Sequence, residues 1–382
     1  MHPSELRIAL FSGNYNYVRD GANQALNRLV GHLLAKGAQV RVYSPTTPTP
    51  AFAPTGDLIA VPALAVPGRG EYRVALGLPG KIHRDLENFA PNMVHLSAPD
   101  ILGHRALSWA RRSNIPAVAS VHTRFETYLS YYGLGFLAPA AIAIQRRFYR
   151  RCDAILAPAP SMADVLRAER MNFDIGIWSR GVDRHIFNPA VRSLPWRREL
   201  GIADTDFVIG FLGRLVLEKG LAVFADVIAE LEKRGVAHKV MVIGEGPARG
   251  WFAERVPGAV FTGFQSGADL GRAVASMDVL FNPSTTETFG NVTLEAMACA
   301  VPVVAAIATG TSSLVEHGVN GRLVDPEDVA GYADALQAYA QDRDLADSDG
   351  LAGEAKAGAY SWDAINQAVL DKYLQVMARR GR

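Results

Sequence analysis

Short apolar runs alternate with segments of helical periodicity along this chain, and the whole rhythm is played twice. In the first half the runs occupy residues 6–12, 39–44, 58–64, 93–97, 117–121 and 154–157; in the second, 207–212, 239–243, 260–262, 279–282, 303–307 and 321–324. Runs of this length read as buried strands, and strands that alternate with helices wind into a parallel sheet. Each half therefore predicts its own α/β unit. The 382 residues also exceed the roughly 250–300 that one core supports, so two domains are expected.

The first helix carries the clearest local signals. Asp20 can cap it, Leu26, Leu29, Val30, Leu33 and Leu34 form one apolar stripe, and Gly37 ends it. Between the halves, Phe187-Asn188-Pro189 and the polar stretch 192–198 have the composition of a linker. The expected division is 1–186 for a first Rossmann-like domain, 187–200 for the linker, and 201–382 for a second one with a C-terminal helix. Arg379, Arg380 and Arg382 suit an exposed last turn of that helix.

Composition narrows the class. Hydrophobic residues make up 49% and charged residues 20%, the balance of a soluble globular protein. Cys152 and Cys299, the only cysteines, stand in apolar surroundings outside any metal-type cluster and read as buried thiols of a reducing compartment. The N-terminus shows no signal-peptide pattern, and the longest uncharged apolar stretch, 131–144, is shorter than the roughly 20 residues of a spanning helix. A cytoplasmic protein is expected. A net charge of +1 argues against nucleic acid as partner. Residues 1–190 nevertheless hold 21 Lys/Arg against 13 Asp/Glu, so the first half could meet an anionic surface.

The segment 283–297, Pro-Ser-Thr-Thr-Glu-Thr-Phe-Gly-Asn-Val-Thr-Leu-Glu-Ala-Met, follows a buried strand and bears two carboxylates across a helix start. Glu287 falls in the turn, Glu295 about two turns into the helix, and the N–H groups of Phe289, Gly290 and Asn291 face the space between. A helix N-terminus favours anions such as a diphosphate, and carboxylates accept from sugar hydroxyls. Arg214 at one strand end and Lys219 at the next helix start could grip the diphosphate. The Gly-rich loop Gly244-Glu245-Gly246 adds weak support.

Taken together, these residues resemble the donor half of family 4 retaining glycosyltransferases, whose hallmark is a Glu, seven residues, Glu motif matched by Glu287 and Glu295. Arg180-Gly181-Val182-Asp183 is similar to the family's domain crossing. The resemblance implies two Rossmann-like domains facing across a cleft, the GT-B architecture, with a C-terminal helix that can cross back to the first domain. It implies that Arg214 and Lys219 neutralise the donor diphosphate, Glu295 binds ribose hydroxyls, and Glu287 holds the transferred sugar with the amides of Phe289, Gly290 and Asn291. His122 matches the first-domain histidine beside the sugar, and Gly13 and Gly21 the loop that lets backbone approach the phosphates. No metal or other cofactor is implied. Arg19 and Arg124 are candidate contacts to an acidic sugar such as glucuronate.

The segment around Thr286 looks most like bacterial lipid glycosyltransferases, of the GDP-mannose-dependent α-mannosyltransferase or sulfoquinovosyl-lipid synthase kind. A lipid or glycolipid acceptor and a peripheral seat on an anionic membrane follow as expectations, with residues 145–151 as the basic contact. A nucleotide-sugar epimerase of the same architecture and a non-catalytic nucleotide-sugar sensor are the alternatives. Asp204-Thr205-Asp206 and Asp347-Ser348-Asp349 spell a metal-binding pattern of another glycosyltransferase architecture, but read as solvated loops.

Overall fold

A computed structural model describes residues 2–18, 21–66, 69–122 and 135–381, with backbone alone at 66 and 69–72. The chain divides into two compact units, Met1–Arg180 with Trp362–Arg382, and Gly181–Ser361. Strands are numbered β1 (Arg7–Phe11), β2 (Gln39–Ser44), β3 (Asp57–Ala60), β4 (Ala63–Val66), β5 (Arg69–Ala75), β6 (Met93–Leu96), β7 (Ala117–Ser120), β8 (Ala154–Ala157) and β9 (Ile175–Ile177) in the first unit. The second holds β10 (Val208–Leu212), β11 (Lys239–Ile243), β12 (Val260–Gly263), β13 (Val279–Asn282), β14 (Val303–Ala306) and β15 (Gly321–Val324).

Each unit is built on a parallel sheet, ordered β3-β2-β1-β6-β7-β8-β9 in the first and β12-β11-β10-β13-β14-β15 in the second. Every expected strand forms. Central strands such as β6, β7, β8, β13 and β14 are buried along their whole length, as sheets covered by helices on both faces require. Two features lie outside the expected rhythm: the antiparallel hairpin β4–β5, and β9, which is three residues long with a glycine at its centre. The first helix, Gly21–Ala35, buries Leu26, Leu29, Val30 and Leu33, whereas Leu34 is exposed. The Asp20 cap lies outside the described residues.

The expected domain division needs two corrections. Residues 187–200 are not a free linker. Ser193 caps the helix Leu194–Glu199 by accepting from the Trp196 N–H at 3.2 Å. Arg197 on that helix is fully buried against Asp278, so the segment is fixed to the second unit and the boundary falls at 180/181. The helix Trp362–Arg380, second, belongs to the first unit. It buries Ile365, Val369, Leu370, Tyr373 and Val376 on one face. Arg379 and Arg380 are exposed, as expected, and paired: Lys372 and Arg379 meet Asp174 at 2.9 and 2.8 Å, and Arg380 meets Asp153 at 2.8 Å. Arg382 lies outside the described residues.

In the second unit the core gathers around Phe211, Phe224, Phe252 and Phe281, with Phe224 stacked on Phe281 at 4.9 Å between centroids. This cluster lies under the strands that carry the site.

Candidate active site

In the second sheet the chain runs outward from β10 through β11 to β12, then returns to lay β13 on the other side of β10. Loops leaving the C-terminal ends of β10 and β13 diverge, and open α/β sheets bind ligands at that point. Gly213 and Arg214 follow β10, while Pro283 to Glu287 follow β13. Lys219, in the turn Leu217–Lys219, donates to Glu287 Oε1 at 2.7 Å, so the two loops are joined by the groups expected to hold donor. Gly220, at φ +75°, allows this approach, since a Cβ there would sit 2.7 Å from the Pro283 carbonyl oxygen. Arg214 is exposed and makes no ion pair with the described residues.

The helix Asn291–Ala298 begins at Gly290, whose φ of +98° turns the chain and whose missing side chain leaves the N-terminus uncapped. The first-turn N–H groups have no intrahelical acceptors and are available to an anion. Phe289 anchors the turn, buried with its ring edge-on to Tyr360 at 5.9 Å. Glu295 comes four residues after the first helical residue, one turn in rather than two. It is half-buried and forms no hydrogen bond or ion pair with the described residues. Burial pushes its carboxyl up to about 8, and the Glu287 carboxylate adds to the rise. Gly310 was not anticipated: its N–H donates to the Glu287 carbonyl at 2.8 Å, and a Cβ there would press on the Phe289 backbone at 2.6 Å. A glycine in the Ala-Thr-Gly-Thr stretch after β14 is the only sequence trace of it.

Glu295 carries a pH prediction. Its folded pKa lies above the ordinary 4.5, so the folded protein holds a proton that the unfolded chain has released. This group's contribution to stability is then lost as pH rises from about 4.5 to about 8. Hydroxyl donors stabilise the ionised form, so binding of nucleotide in this interval should release a proton. Calorimetry in buffers of different ionisation enthalpy measures that release, and Glu295→Gln should abolish it. Equal proton release by the variant would remove Glu295 from the site.

In the first unit the corresponding point lies between β1 and β6. Gly13 follows β1 with the Asp100 carboxyl against it, and Tyr17 Oη donates to its carbonyl at 2.7 Å. Gly21 opens the first helix. Arg19 and Arg124 lie outside the described residues.

His122 follows β7, and both its ring nitrogens are engaged inside the unit. Arg180 Nη2 lies 2.8 Å from Nδ1, and Ser120 Oγ lies 2.8 Å from Nε2. A guanidinium can only donate, so Nδ1 accepts and Nε2 carries the proton of the neutral ring. Ser120 then donates to His95 Nε2 at 3.1 Å, and His95 Nδ1–H to Tyr373 Oη at 2.6 Å. Burial lowers both imidazoles, His95 to about 3 and His122 well below its ordinary value, the latter helped by the Arg180 charge. Both rings are therefore neutral in a directed chain from Arg180 to the C-terminal helix. His95, Ser120, Arg180 and Tyr373 were not among the expected residues, because their joining depends on β6, β7 and a helix some 280 positions away in sequence.

The two Asp-x-Asp decoys part ways. Asp204 pairs with Arg198 at 2.6 Å in an exposed turn, as expected. Asp349 does not lie in a solvated loop: it is buried in the helix Arg343–Ala357, paired with Arg322 at 2.6 Å and accepting from Tyr339 Oη at 2.5 Å. Among the described residues no group of three or more His, Cys, Asp or Glu is placed to hold a metal ion. Cys152 and Cys299 are free and buried.

Two Rossmann-like units, one bearing a cation–carboxylate pair beside an uncapped helix, define the GT-B architecture. Comparison with known proteins agrees: residues 19–185 match the model for Glycosyltransferase Family 4 and residues 206–342 that for Glycosyl transferases group 1. A GDP-mannose-dependent alpha-mannosyltransferase of Mycolicibacterium smegmatis is 33% identical over 98% of this chain and 99% of its own. An alpha-monoglucosyldiacylglycerol synthase of Acholeplasma laidlawii is 24% identical over 83% of this chain and 84% of its own. Among solved structures, sucrose-phosphate synthase from Thermosynechococcus elongatus shares the fold, with a TM-score of 0.80 at 20% identity over 98% of this chain and 100% of that one. The chain belongs to glycosyltransferase family 4.

Proposed function

We propose that the protein moves a hexose from a nucleoside diphosphate sugar to a hydroxyl of a membrane lipid or glycolipid, with retention of anomeric configuration. The observation that carries this is the Lys219–Glu287 pair beside the open N-terminus of the helix Asn291–Ala298. Breaking a sugar–phosphate bond puts charge on the leaving diphosphate, and fixed positive groups aimed at that charge stabilise it. Lys219, Arg214 and the helix terminus supply this field, so transfer needs no metal ion. Glu295 takes the ribose hydroxyls and Glu287 the sugar. GDP-mannose is the first donor to test, on the strength of the name of the mycobacterial relative.

The lipid acceptor and a peripheral seat on the membrane find support in the helix Ala138–Tyr149. It buries Gln145, Phe148 and Tyr149 and leaves Ile144 and, just before its N-terminus, Phe136 and Leu137 exposed, while the exposed Arg147 and Arg150 stand at its C-terminal end. Arg146, expected to be a surface charge, instead donates to the Glu169 carbonyl at 2.7 Å. Among the described residues no helix is long and apolar enough to cross a membrane.

The test is product analysis in excess chelator, with GDP-mannose, UDP-glucose, UDP-galactose and UDP-glucuronate offered over acceptor-bearing vesicles. A new glycolipid with retained configuration is the expected result. Hydrolysis or conversion of donor without any acceptor would favour the epimerase reading, and turnover restored only by Mg²⁺ or Mn²⁺ would end the metal-free one. Preference for a neutral sugar that Arg19→Ala leaves unchanged would end the acidic-sugar role of Arg19.

A further inference from the structure

The first unit carries a second concave site, on elements separate from Gly13 and His122. A pocket of about 360 Å³ is lined by Pro62, Leu76, Leu78, Pro79, His83, Arg105 and Arg112. The three cationic or protonatable groups come from two helices. His83 lies in the first turns of Gly80–Phe89, while Arg105 and Arg112 stand seven residues apart, two turns, on one face of Ile101–Arg112. No acidic residue lines the pocket among the described residues, and the side chains of His83, Arg105 and Arg112 make no hydrogen bond or ion pair with them. Both arginines are exposed. The N-terminus of Gly80–Phe89 also opens here, since Pro79 caps it with no side-chain hydrogen bond.

The wall facing these charges is apolar and continues out of the pocket. Leu64 of β4 stands opposite Val74 of β5 in the hairpin register, and Leu76 follows two residues beyond Val74 along the same extended segment. Alternation puts all three on one face. Their exposures are 62%, 42% and 60%, so this face has no cover among the described residues. The loop is held in place by a Leu76 N–H bond to the Pro62 carbonyl at 2.9 Å and by buried Gly77, at φ +107°, against the Arg105 side chain. Parallel strands place the exits of β3 and β6, which lead to Pro62 and to the helix of Arg105, on the sheet edge that also carries Gly13 and His122.

Charge on one side and bare hydrocarbon on the other is the complement of an amphiphile. We propose that this pocket seats the phosphate of one anionic phospholipid, held by Arg105, Arg112 and the helix N-terminus, with its acyl chains lying over Leu64, Val74 and Leu76. Arginine pairs with phosphate through two parallel N–H bonds, and a pocket of this size takes a headgroup while the chains remain outside. The site concerns attachment and headgroup choice; it stands whichever sugar the second unit transfers, and deepens the lipid-acceptor reading by naming where a phospholipid sits.

The test uses the full chain and a short-chain phosphatidylglycerol below its micelle concentration, followed by titration calorimetry. Saturable one-to-one binding is expected, weakened about thirtyfold by Arg105→Ala with Arg112→Ala, two basic contacts being removed. Leu76→Ser should weaken the lipid severalfold and leave inorganic phosphate unaffected. An unchanged melting temperature in each variant keeps the reading on binding. Three results would overturn the proposal: no saturable binding by the wild type, equal binding by the arginine variant, or inorganic phosphate binding as tightly as the lipid, which would make this a free-anion site. Glycosyl transfer to lipid with no such binding would leave the proposed function standing and remove this site alone, so the two can fail separately.

Discussion

Replacing Lys219 by alanine is expected to lower turnover by about 10²–10³, the usual consequence of deleting one fixed group that stabilises leaving-group charge. The exposure of the pair makes the loss chemical rather than structural. Lys219 is about a third exposed and its pair with Glu287 is only partly buried, so breaking it costs about 0–1 kcal/mol of stability. The variant also leaves the Glu287 carboxylate uncompensated beside Glu295, whose carboxyl is already raised to about 8 by burial and by Glu287 itself. That second acid should then hold its proton to still higher pH. Single-turnover rates measured beside a melting curve decide the matter: a steep fall in rate with an unmoved midpoint is expected. A rate within a few-fold of wild type would take the diphosphate role away from Lys219.

Asp278→Ala is expected to show the opposite pattern, a loss of stability of about 3–5 kcal/mol. Asp278 sits at the start of β13 with a side chain 10% exposed, and it accepts from Arg192 at 2.5 Å, Arg197 at 3.2 Å and the Val208 N–H at 2.7 Å. Arg197 is completely buried and also donates to the Asp206 carbonyl at 2.6 Å. Removing the carboxylate strands that guanidinium without its counter-charge, and burial alone already lowers its pKa. The segment 187–200 should then detach from the second unit. Equilibrium unfolding in urea reads the loss as a lower midpoint, and limited proteolysis should cut near Arg192 to Arg198 in the variant first. Asp278→Asn keeps the shape and part of the hydrogen bonding, so it should fall between. A midpoint unchanged in both variants would mean that the buried pair contributes nothing net.

The expected strands were legible because each is a short apolar run with turn residues at its ends, a pattern that local sequence carries, whereas β5, which mixes charged and apolar residues, and β9, three residues with a central glycine, lack it. Glu287, Lys219 and Arg214 could likewise be set at a strand exit or a helix start before any packing is known, whereas Glu295 falls one turn into its helix rather than two because the helix begins only at Asn291. Beyond those lies what tertiary structure alone decided. Local sequence puts the C-terminal helix with the second half and only the family resemblance let it cross back; it belongs to the first unit because Asp174, Asp153 and buried neighbours there complete its charges and apolar face. The stretch 187–200 has linker composition, yet Asp278, some 80 positions later, makes it rigid. Asp349 reads as a solvated acid until Arg322 and Tyr339 close on it. His122 could be placed at a strand end, but its tautomer and neutrality follow from Arg180, Ser120, His95 and Tyr373, drawn from four separate stretches of chain. Periodicity and caps are properties of neighbours in sequence; a charge's partner, and with it a group's protonation, is a property of neighbours in space.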